Sequence, residues 1–368
     1  MEKIISAVVR TPAESKREVL NSLDELSRLA ETAGGTVVHR IIQTRNKFDP
    51  AFLIGRGKLQ EIARLAFSEN IRTILFDNNL SPAQKRNIED VIEAKIIDRT
   101  RIILDIFAMR AKTKEASLQI ELAQLNYYIT HLTQKGIFLD NQVGGIGTRG
   151  PGERKLEYDR RRIRDKISYL KKEIEEIKKH REIQRTKRKE SAIPVIAIAG
   201  YTNTGKSTLM NLLVTETMKY QKNSVYADDK LFATLDSTTR RIKLPGGKIA
   251  LLTDTVGFIR KLPHELIASF RSTLEEITSA DLILHLSDIS SPDLEYTDGV
   301  VLRTFEELGV GSIPVIKVYN KIDLLPKGIS HIRRTADGES DEIYISAKTG
   351  GGIDGLLRRI EHNLTLLT

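Results

Sequence analysis

The chain has 368 residues, 40% of them hydrophobic and 29% charged, which is the composition of a folded protein large enough for two domains. An excess of Lys and Arg gives a net charge of +9. This excess favours a polyanionic partner such as nucleic acid, although solubility alone also explains it. The chain has no cysteine, no signal-peptide pattern and no apolar stretch of membrane-spanning length, which excludes disulfides and cysteine chemistry and predicts a cytoplasmic protein without membrane insertion.

Residues 1–112 are predicted to form an N-terminal α/β domain with a largely parallel sheet. Short apolar runs (KIISAVVR, GTVVHRIIQ, RTILFDNN and AKIIDRTRIILDIFAM) alternate there with helical patterns such as SKREVLNSLDELSRLAETAG. The segment GRGK, from Gly55 to Lys58, has the composition of an anion-binding turn, but we favour a tight turn before a helix.

Residues 113–190 carry two heptad patterns, which predict a coiled-coil-like antiparallel helical hairpin. The first seam comprises Leu118, Leu122, Leu125, Ile129 and Leu132, and the second comprises Ile163, Ile167, Leu170, Ile174 and Ile177. Because each seam is too short for an independent coiled coil, we expect the two stripes to bury each other.

The connection between the seams, residues 136–152, is rich in glycine and is predicted to be an irregular loop. It either contacts an anionic partner, with Arg149, Arg154 and Lys155, or is a solvated flexible loop. Residues 153–190 then hold sixteen Lys and Arg against nine Asp and Glu, a net charge of +7. Such a run is usually a solvated helix face, and binding to a phosphate backbone is the rival interpretation.

The segment IPVIAIAG, residues 193–200, predicts a buried strand that leads into GYTNTGKST and then into a helical pattern. This is the order of a P-loop, in which Gly200 and Gly205 let backbone amides face phosphate oxygens. Lys206 would add charge to the β- and γ-phosphates, and the Ser207 hydroxyl would ligate Mg²⁺. The rest of the predicted cradle is Asn203, Thr204 and Thr208.

A second strand pattern, KIALLTDTVG, ends in a DxxG motif at the sheet edge where α/β proteins bind ligands. Asp254 is predicted to hold Mg²⁺ through water and Gly257 to offer its N–H to the γ-phosphate. Thr255 and Val256 lie between them.

The polar segment between the two motifs is able to reorder around a nucleotide and to supply a second magnesium hydroxyl. Thr234 is our choice, and Thr238 and Thr239 are competitors that the residues alone do not rank. The neighbours of Thr234 that we expect near the nucleotide are Phe232, Ala233, Leu235 and Asp236.

Base choice is predicted at two further strand ends, VIKVYNKID and EIYISAKTG. Asp323 can accept from both N1–H and the exocyclic amine of guanine, a pairing that adenine cannot supply. Lys321 can cover the face of the ring. The remaining predicted contacts are Asn320, Ser346, Ala347 and Lys348. The backbone N–H groups of the last three can meet guanine O6. We therefore predict a C-terminal P-loop GTPase domain over residues 191–368, with GTP or GDP and Mg²⁺ as ligands.

These motifs resemble those of the translation-factor class of GTPases, and the wider sequence resembles the HflX family. The similar segments are DIFAMRAKTKEASLQIELAQLNY, GGIGTRGPGE, GYTNTGKSTLMN, FATLDSTTRR, DTVGFIRKLPHELIASFRSTLEE and NKID. They are spread over nearly the whole chain. The resemblance implies an N-terminal α/β domain, a helical hairpin and a G domain, and supports Thr234 as the magnesium ligand.

The resemblance also implies a partner, the large ribosomal subunit with its rRNA, bound by the basic helix and the Gly-rich loop, and in some members splitting or rescue of ribosomes. Many GTPases place a water-orienting glutamine after DxxG, whereas this chain has Phe258. With Lys206, Thr234 and Gly257 as the catalytic groups, we expect slow turnover alone and faster turnover on the ribosome. The alternatives are a nucleotide-gated RNA-binding or remodelling protein whose N-terminal domain also uses ATP, and a GTP-switched protein adaptor. The oligomeric state is left open, with a monomer as the default.

Overall fold

The computed structural model describes residues 1–132, 151–190, 193–217, 231–232, 235, 237–261, 271–326 and 342–367. Two compact units are present, one made of Met1–Met109 and Ser117–Glu175 and the other of Arg110–Ala116 and Glu176–Thr368. The segment predicted as a separate hairpin domain therefore contributes to both units, and the predicted domain boundaries stay a prediction. Within the ranges given above, no helix combines the length and the apolar character needed to cross a membrane.

The first unit contains a four-stranded sheet in the order β2-β1-β3-β4, with every neighbouring pair parallel. The elements in chain order are β1 (Glu2–Arg10), α1 (Lys16–Thr32), β2 (Gly35–Thr44), α2 (Arg56–Ser68), β3 (Thr73–Phe76), α3 (Pro82–Glu89), β4 (Lys95–Asp98) and α4 (Arg99–Arg110). The central strands β1 and β3 are apolar and buried over most of their length, as expected of a parallel sheet covered on both faces. The predicted parallel α/β arrangement is confirmed.

Two details of this unit refine the sequence interpretation. The apolar run AKIIDRTRIILDIFAM is not one strand, because β4 ends at Asp98 and α4 begins at the next residue. Asp98 Oδ1 accepts a hydrogen bond from the Arg101 backbone N–H (2.9 Å), which starts the helix as a cap does. At GRGK, α2 begins at Arg56, and the Gly55 N–H donates to Gln43 Oε1 (2.7 Å), in agreement with a turn before a helix.

A buried ion cluster lies where β3 and β4 end. The Arg99 side chain is fully buried and donates to Asp77 Oδ1 (2.6 Å) and to Glu25. Ser22 Oγ donates to the other oxygen of Asp77 (2.8 Å). Helix α1 is thereby tied to the carboxyl edge of the sheet by charge-assisted hydrogen bonds.

The hairpin helices are α5 (Lys114–Leu132) and α6 (Pro151–Glu190). The predicted seam residues of both helices are half-buried and Leu170 is fully buried, while Lys166 on α6 pairs with Glu121 on α5 (3.3 Å). The most buried stripe of α5, however, is Ile120, Ala123 and Tyr127. The Tyr127 hydroxyl donates to Asp98 Oδ1 (3.1 Å), so this end of the stripe contacts the last residue of β4.

The predicted C-terminal bound of the loop 136–152 is wrong by two residues. Pro151 and Gly152 belong to the start of α6. Proline is favourable in the first helical turn, because its missing N–H would have no acceptor within the helix there. The other residues of the predicted loop lie outside the described residues.

The second unit contains a six-stranded sheet in the order β10-β9-β8-β5-β7-β6, parallel except for β6, which runs antiparallel to β7. The strands are β5 (Val195–Gly200), β6 (Thr238–Lys243), β7 (Ile249–Asp254), β8 (Leu282–Asp288), β9 (Val315–Asn320) and β10 (Glu342–Tyr344). The helices are α7 (Lys206–Thr217), α8 (Arg271–Thr278), α9 (Leu294–Leu308), a 3₁₀ turn (Ile322–Leu324) and α10 (Ile353–Leu366). All predicted nucleotide motifs that are described follow the carboxyl ends of β5, β7, β9 and β10.

Candidate nucleotide site

The P-loop connects β5 to α7 and depends on two glycines. A Cβ atom on Gly200 would overlap the Leu286 carbonyl oxygen of the neighbouring strand β8. Gly205 has φ +93°, and a Cβ there would overlap Asn320 Nδ2. Only glycine fits both positions, which lets the loop turn its amides toward the space beyond β5.

Lys206, the first residue of α7, is buried with its ammonium group turned back over the loop. Its Nζ donates to the carbonyl oxygens of Gly200 (3.1 Å) and Tyr201 (2.7 Å). Burial lowers the pKa of Lys206 to about 8, against a raising effect of Asp254, and the charge of Lys321 lowers it further. Phosphates bound at this position would add negative charge beside the ammonium and stabilise its charged form.

The Ser207 hydroxyl donates to Asp254 Oδ2 (2.7 Å), which brings the two predicted magnesium groups together. Asp254 is fully buried at the end of β7, and the next residue, Thr255, is fixed by a hydrogen bond from its Oγ1 to the Ile198 carbonyl (2.7 Å). In the part of the chain that the structure describes, no group of three or more His, Cys, Asp or Glu side chains is placed to hold a metal. A hydroxyl and one carboxylate, completed by phosphate oxygens and water, are a donor set that suits Mg²⁺.

Phe258, the residue after DxxG, is buried and bonded to the P-loop through its backbone. Its N–H donates to the Gly200 carbonyl (3.1 Å), and its carbonyl accepts from the Thr202 N–H (2.7 Å). Its ring lies edge-on to Phe305, with the ring centres 6.2 Å apart. A Cβ on Gly257 would come within 2.8 Å of Lys206 Nζ and 2.9 Å of Thr202 Cα, so the two motifs meet closely at this point.

The segment around Thr234 is described only in part. Thr234, Ala233 and Asp236 lie outside the described residues, whereas Phe232 and Leu235 are buried. The two competitors of Thr234 lie on β6, where Thr239 Oγ1 is 3.0 Å from Thr253 Oγ1, so that hydroxyl is already hydrogen-bonded within the sheet.

Asn320 joins three loops of the site. Its Nδ2 donates to the Thr204 carbonyl of the P-loop (2.7 Å), and its Oδ1 accepts from the Ala347 N–H (2.8 Å). The side chain is almost fully buried. The amide of Asn320 therefore has a structural role, since it fixes the P-loop to the SAK motif.

The two base motifs are also bonded to each other. Ser346 Oγ donates to Asp323 Oδ1 (2.6 Å) and accepts from the Thr349 N–H (3.1 Å). Lys321 adopts a left-handed backbone (φ +68°), and its Nζ pairs with Asp288 Oδ2 at the end of β8 (2.7 Å). Sequence reasoning did not select Asp288, although an acid that ends the apolar strand LILHLSD next to the NKID strand is a usable signal.

Of the other predicted residues, Asn203 has a left-handed backbone (φ +61°) and Val256 is buried, while Thr208 and Lys348 are exposed. The structure thus brings the P-loop, DxxG, NKID and SAK residues to one edge of a single sheet. Their individual roles toward a nucleotide stay predictions.

Three family models match the chain in succession. Their descriptions are GTP-binding GTPase N-terminal (residues 20–108), GTP-binding GTPase Middle Region (residues 110–188) and 50S ribosome-binding GTPase (residues 195–321).

Curated relatives match over nearly the whole chain. A GTPase HflX of Lacrimispora saccharolytica is 47% identical over 360 residues, which cover 98% of this chain and 82% of the relative. A GTPase HflX of Escherichia coli is 41% identical, with 94% and 80% of the two chains covered. Among solved structures, a crystal structure of SsGBP in complex with GDP has a TM-score of 0.52 and 26% identity, and covers 100% of this chain and 99% of its own.

Proposed function

The chain belongs to the GTPase HflX family and hydrolyses GTP, and from this premise we propose that it does so in association with the large ribosomal subunit. The observation that carries the proposal is the match of residues 195–321 to a model described as a 50S ribosome-binding GTPase. A ribosomal partner would be consistent with the cytoplasmic location that we expect.

The nucleotide is bound at the sheet edge described above. The amides of the P-loop and the Lys206 ammonium contact the β- and γ-phosphates, and Asp323 accepts the two N–H groups of guanine. Ser207 and Thr234 would hold Mg²⁺ through their hydroxyls and Asp254 would hold it through water, and the bound ion would neutralise phosphate charge.

Hydrolysis is an in-line attack of water on the γ-phosphate, which needs positioning and charge stabilisation more than covalent chemistry. Lys206 and the Gly257 N–H supply stabilisation, since both meet where the P-loop and DxxG approach each other. Phe258 offers no polar group to orient water, and its backbone is committed to the P-loop. Turnover of the free protein is therefore slow, and the ribosome accelerates it.

The basic cluster of α6 is a suitable surface for rRNA. Arg161, Arg162 and Arg164 are exposed on one stretch of this helix, whereas Arg160 is half-buried. Exposed arginines that neutralise phosphates release counterions, so binding through them weakens steeply as salt rises. The Gly-rich loop, which precedes α6, is the second proposed contact.

The test is cosedimentation with purified large subunits in a non-hydrolysable GTP analogue at several salt concentrations. We expect the triple variant Arg161→Gln, Arg162→Gln, Arg164→Gln to bind more weakly and with a shallower salt dependence. Its nucleotide affinity and free turnover should stay unchanged, because the second unit is intact. A matched control is Lys171→Gln, Lys172→Gln, Lys179→Gln, which removes the same charge from other exposed positions of α6.

Two results would count against the proposal. Wild-type protein that neither sediments with large subunits nor turns over GTP faster in their presence would remove the ribosome as partner. Equal losses of ribosome affinity in the two triple variants would show that only the total charge of α6 matters and not the arginine cluster. If neither variant lost affinity, the adaptor interpretation would be favoured.

A further inference from the structure

Asp288 is an acid at the edge of the nucleotide site that the mechanism above does not use. It ends β8 and lies opposite Asn320, the residue before Lys321, in the parallel pairing of β8 with β9. Its Oδ2 pairs with Lys321 Nζ (2.7 Å), and its Oδ1 accepts from the N–H (3.0 Å) and Oγ (2.6 Å) of Ser290. Both oxygens of the carboxylate are therefore engaged, and its orientation is fixed.

The Lys321 ammonium needs such a partner to hold it in one position, because the backbone conformation of this residue does not fix the end of its long side chain. Its backbone is left-handed, which fixes the direction in which the side chain leaves the chain, but the four methylenes beyond Cα remain rotatable. The side chains of Lys321 and Asp288 are only 22% and 20% exposed, so their ion pair is partly shielded from water. Such a pair holds the ammonium more firmly than an exposed one does.

We propose that Asp288 is a positioning residue for guanine: by holding the Lys321 ammonium, it keeps the aliphatic part of that side chain over the face of the base. The inference rests on the proposed role of Lys321 and Asp323 in binding the base. Asp288 acts through Lys321 in this proposal, so we expect its loss to lower the affinity for any purine nucleotide that Lys321 covers and to leave the choice between guanine and xanthine unchanged.

The rival role is structural, since Asp288 also fixes the turn after β8 through Ser290. A double-mutant cycle separates the two roles. We would measure equilibrium binding and dissociation rates of fluorescent GDP and GTP for Asp288→Asn, Lys321→Met and the double variant. Lys321→Met keeps an aliphatic side chain and removes the ammonium.

We expect Asp288→Asn to weaken both nucleotides by roughly 5- to 20-fold, mainly through faster dissociation. The same change should add almost nothing in the Lys321→Met background, because the ammonium that it positions is gone. The preference for GDP over the xanthosine diphosphate should survive in Asp288→Asn. The matched control is Asp281→Asn, an acid immediately before the opposite end of the same strand, where it accepts from the Val195 N–H (2.7 Å).

Ser290→Ala provides a second variant that loosens the turn and leaves the charge of Asp288 in place. A purely structural role predicts that it reproduces the loss seen in Asp288→Asn, and that the losses of Asp288→Asn and Lys321→Met add. Either result, or unchanged binding in Asp288→Asn, overturns the proposal. Failure of the base site itself would appear differently, as an Asp323→Asn variant that keeps its preference for guanine.

Discussion

Ser346 Oγ donates a hydrogen bond to Asp323 Oδ1 over 2.6 Å, so the loop after β10 orients the acid that follows β9. The two residues are 23 positions apart and lie in the segments that follow neighbouring strands of the sheet. One carboxylate oxygen of Asp323 thus has a protein donor before any base is bound. A base that pairs with this acid meets a carboxylate that is already oriented.

The first prediction concerns base choice. Replacing Asp323 with Asn should weaken GTP binding by roughly 10- to 100-fold, because the new amide donates where guanine also donates. Xanthosine triphosphate, which has a carbonyl in place of the exocyclic amine, should bind better to the variant than GTP does. Competition of both nucleotides against a fluorescent analogue checks this, and unchanged GTP affinity would show that Asp323 does not read the base.

The second prediction concerns the proton on Lys206, whose pKa is lowered to about 8 chiefly by burial. Phosphates stabilise the charged form, so nucleotide binding near pH 8 should take up a fraction of a proton, and affinity should fall as pH rises above 8. The folding stability of the nucleotide-free protein should depend on pH in the opposite direction. Between pH 8 and about 10.4 the Lys206 side chain is more protonated in the unfolded chain than in the folded one, so its contribution makes the folded state more stable as pH rises.

Calorimetry of GDP binding at pH 8 in two buffers of different ionisation enthalpy measures the uptake. Lys206→Arg should take up no proton, because guanidinium stays charged throughout this range. Apart from proton uptake, Lys206→Ala and Ser207→Ala should each strongly reduce nucleotide binding or hydrolysis and leave the first unit folded. Equal proton uptake in wild type and Lys206→Arg would assign the titration to another group.

The third prediction compares two glycines with nearly the same backbone. Gly205 has φ +93° and Gly247 has φ +89°, but only at Gly205 would a Cβ overlap a neighbouring side chain, Asn320. Alanine should cost about 1–2 kcal/mol of stability from the left-handed backbone at either position. Only Gly205→Ala should also weaken nucleotide binding, by roughly 10-fold or more, because it displaces the amide that bridges Thr204 and Ala347. Thermal unfolding and nucleotide titration of both variants test the distinction.

The fourth prediction concerns the ion cluster of the first unit. Arg99→Met would leave the buried carboxylates of Asp77 and Glu25 without their cation, and should cost about 3–5 kcal/mol. Arg101→Met removes a more exposed pair with Asp105 (3.0 Å) and should cost less than about 1 kcal/mol. Urea unfolding measures both. Comparable losses in the two variants would contradict the assignment of Arg99 as the critical charge.

The fifth prediction is that glutamine at position 258 does not restore rapid hydrolysis. The wild-type backbone hydrogen bonds to the P-loop do not depend on the side chain, so they would hold the new glutamine where the phenylalanine ring now packs on Phe305. Turnover of free Phe258→Gln should stay within about 3-fold of wild type, with lower stability from the polar group in the core. Single-turnover GTP hydrolysis is the measurement, and a large gain would show that the side chain reaches the γ-phosphate.

The G-domain motifs could be found from the sequence because each is local: a few adjacent residues follow a recognisable strand, in a spacing that predicts contact with phosphate or base. The parallel sheets followed from apolar runs alternating with helical patterns. The start of α6 was missed because a proline followed by a glycine, as at Pro151 and Gly152, is typical of a loop. The preference of proline for the first turn of a helix points the other way.

Residues that act across long separations were outside the reach of sequence patterns. Asn320 was expected to lie at the base, but its bridge between Thr204 and Ala347 spans 116 residues in one direction and 27 in the other. Asp288 belongs to no motif, and although it ends an apolar strand, only its distance to Lys321 shows which residue it pairs with. The burial of Phe258 likewise depends on Phe305, a residue whose proximity no periodicity indicates.

The backbone pairing of Phe258 with the P-loop has a mechanical consequence. A chain segment that is bonded on both its N–H and its carbonyl to the phosphate loop cannot swing independently of that loop. We therefore expect a movement of the P-loop to carry Phe258 with it. Lys261 is the first residue after Phe258 with a left-handed backbone (φ +51°).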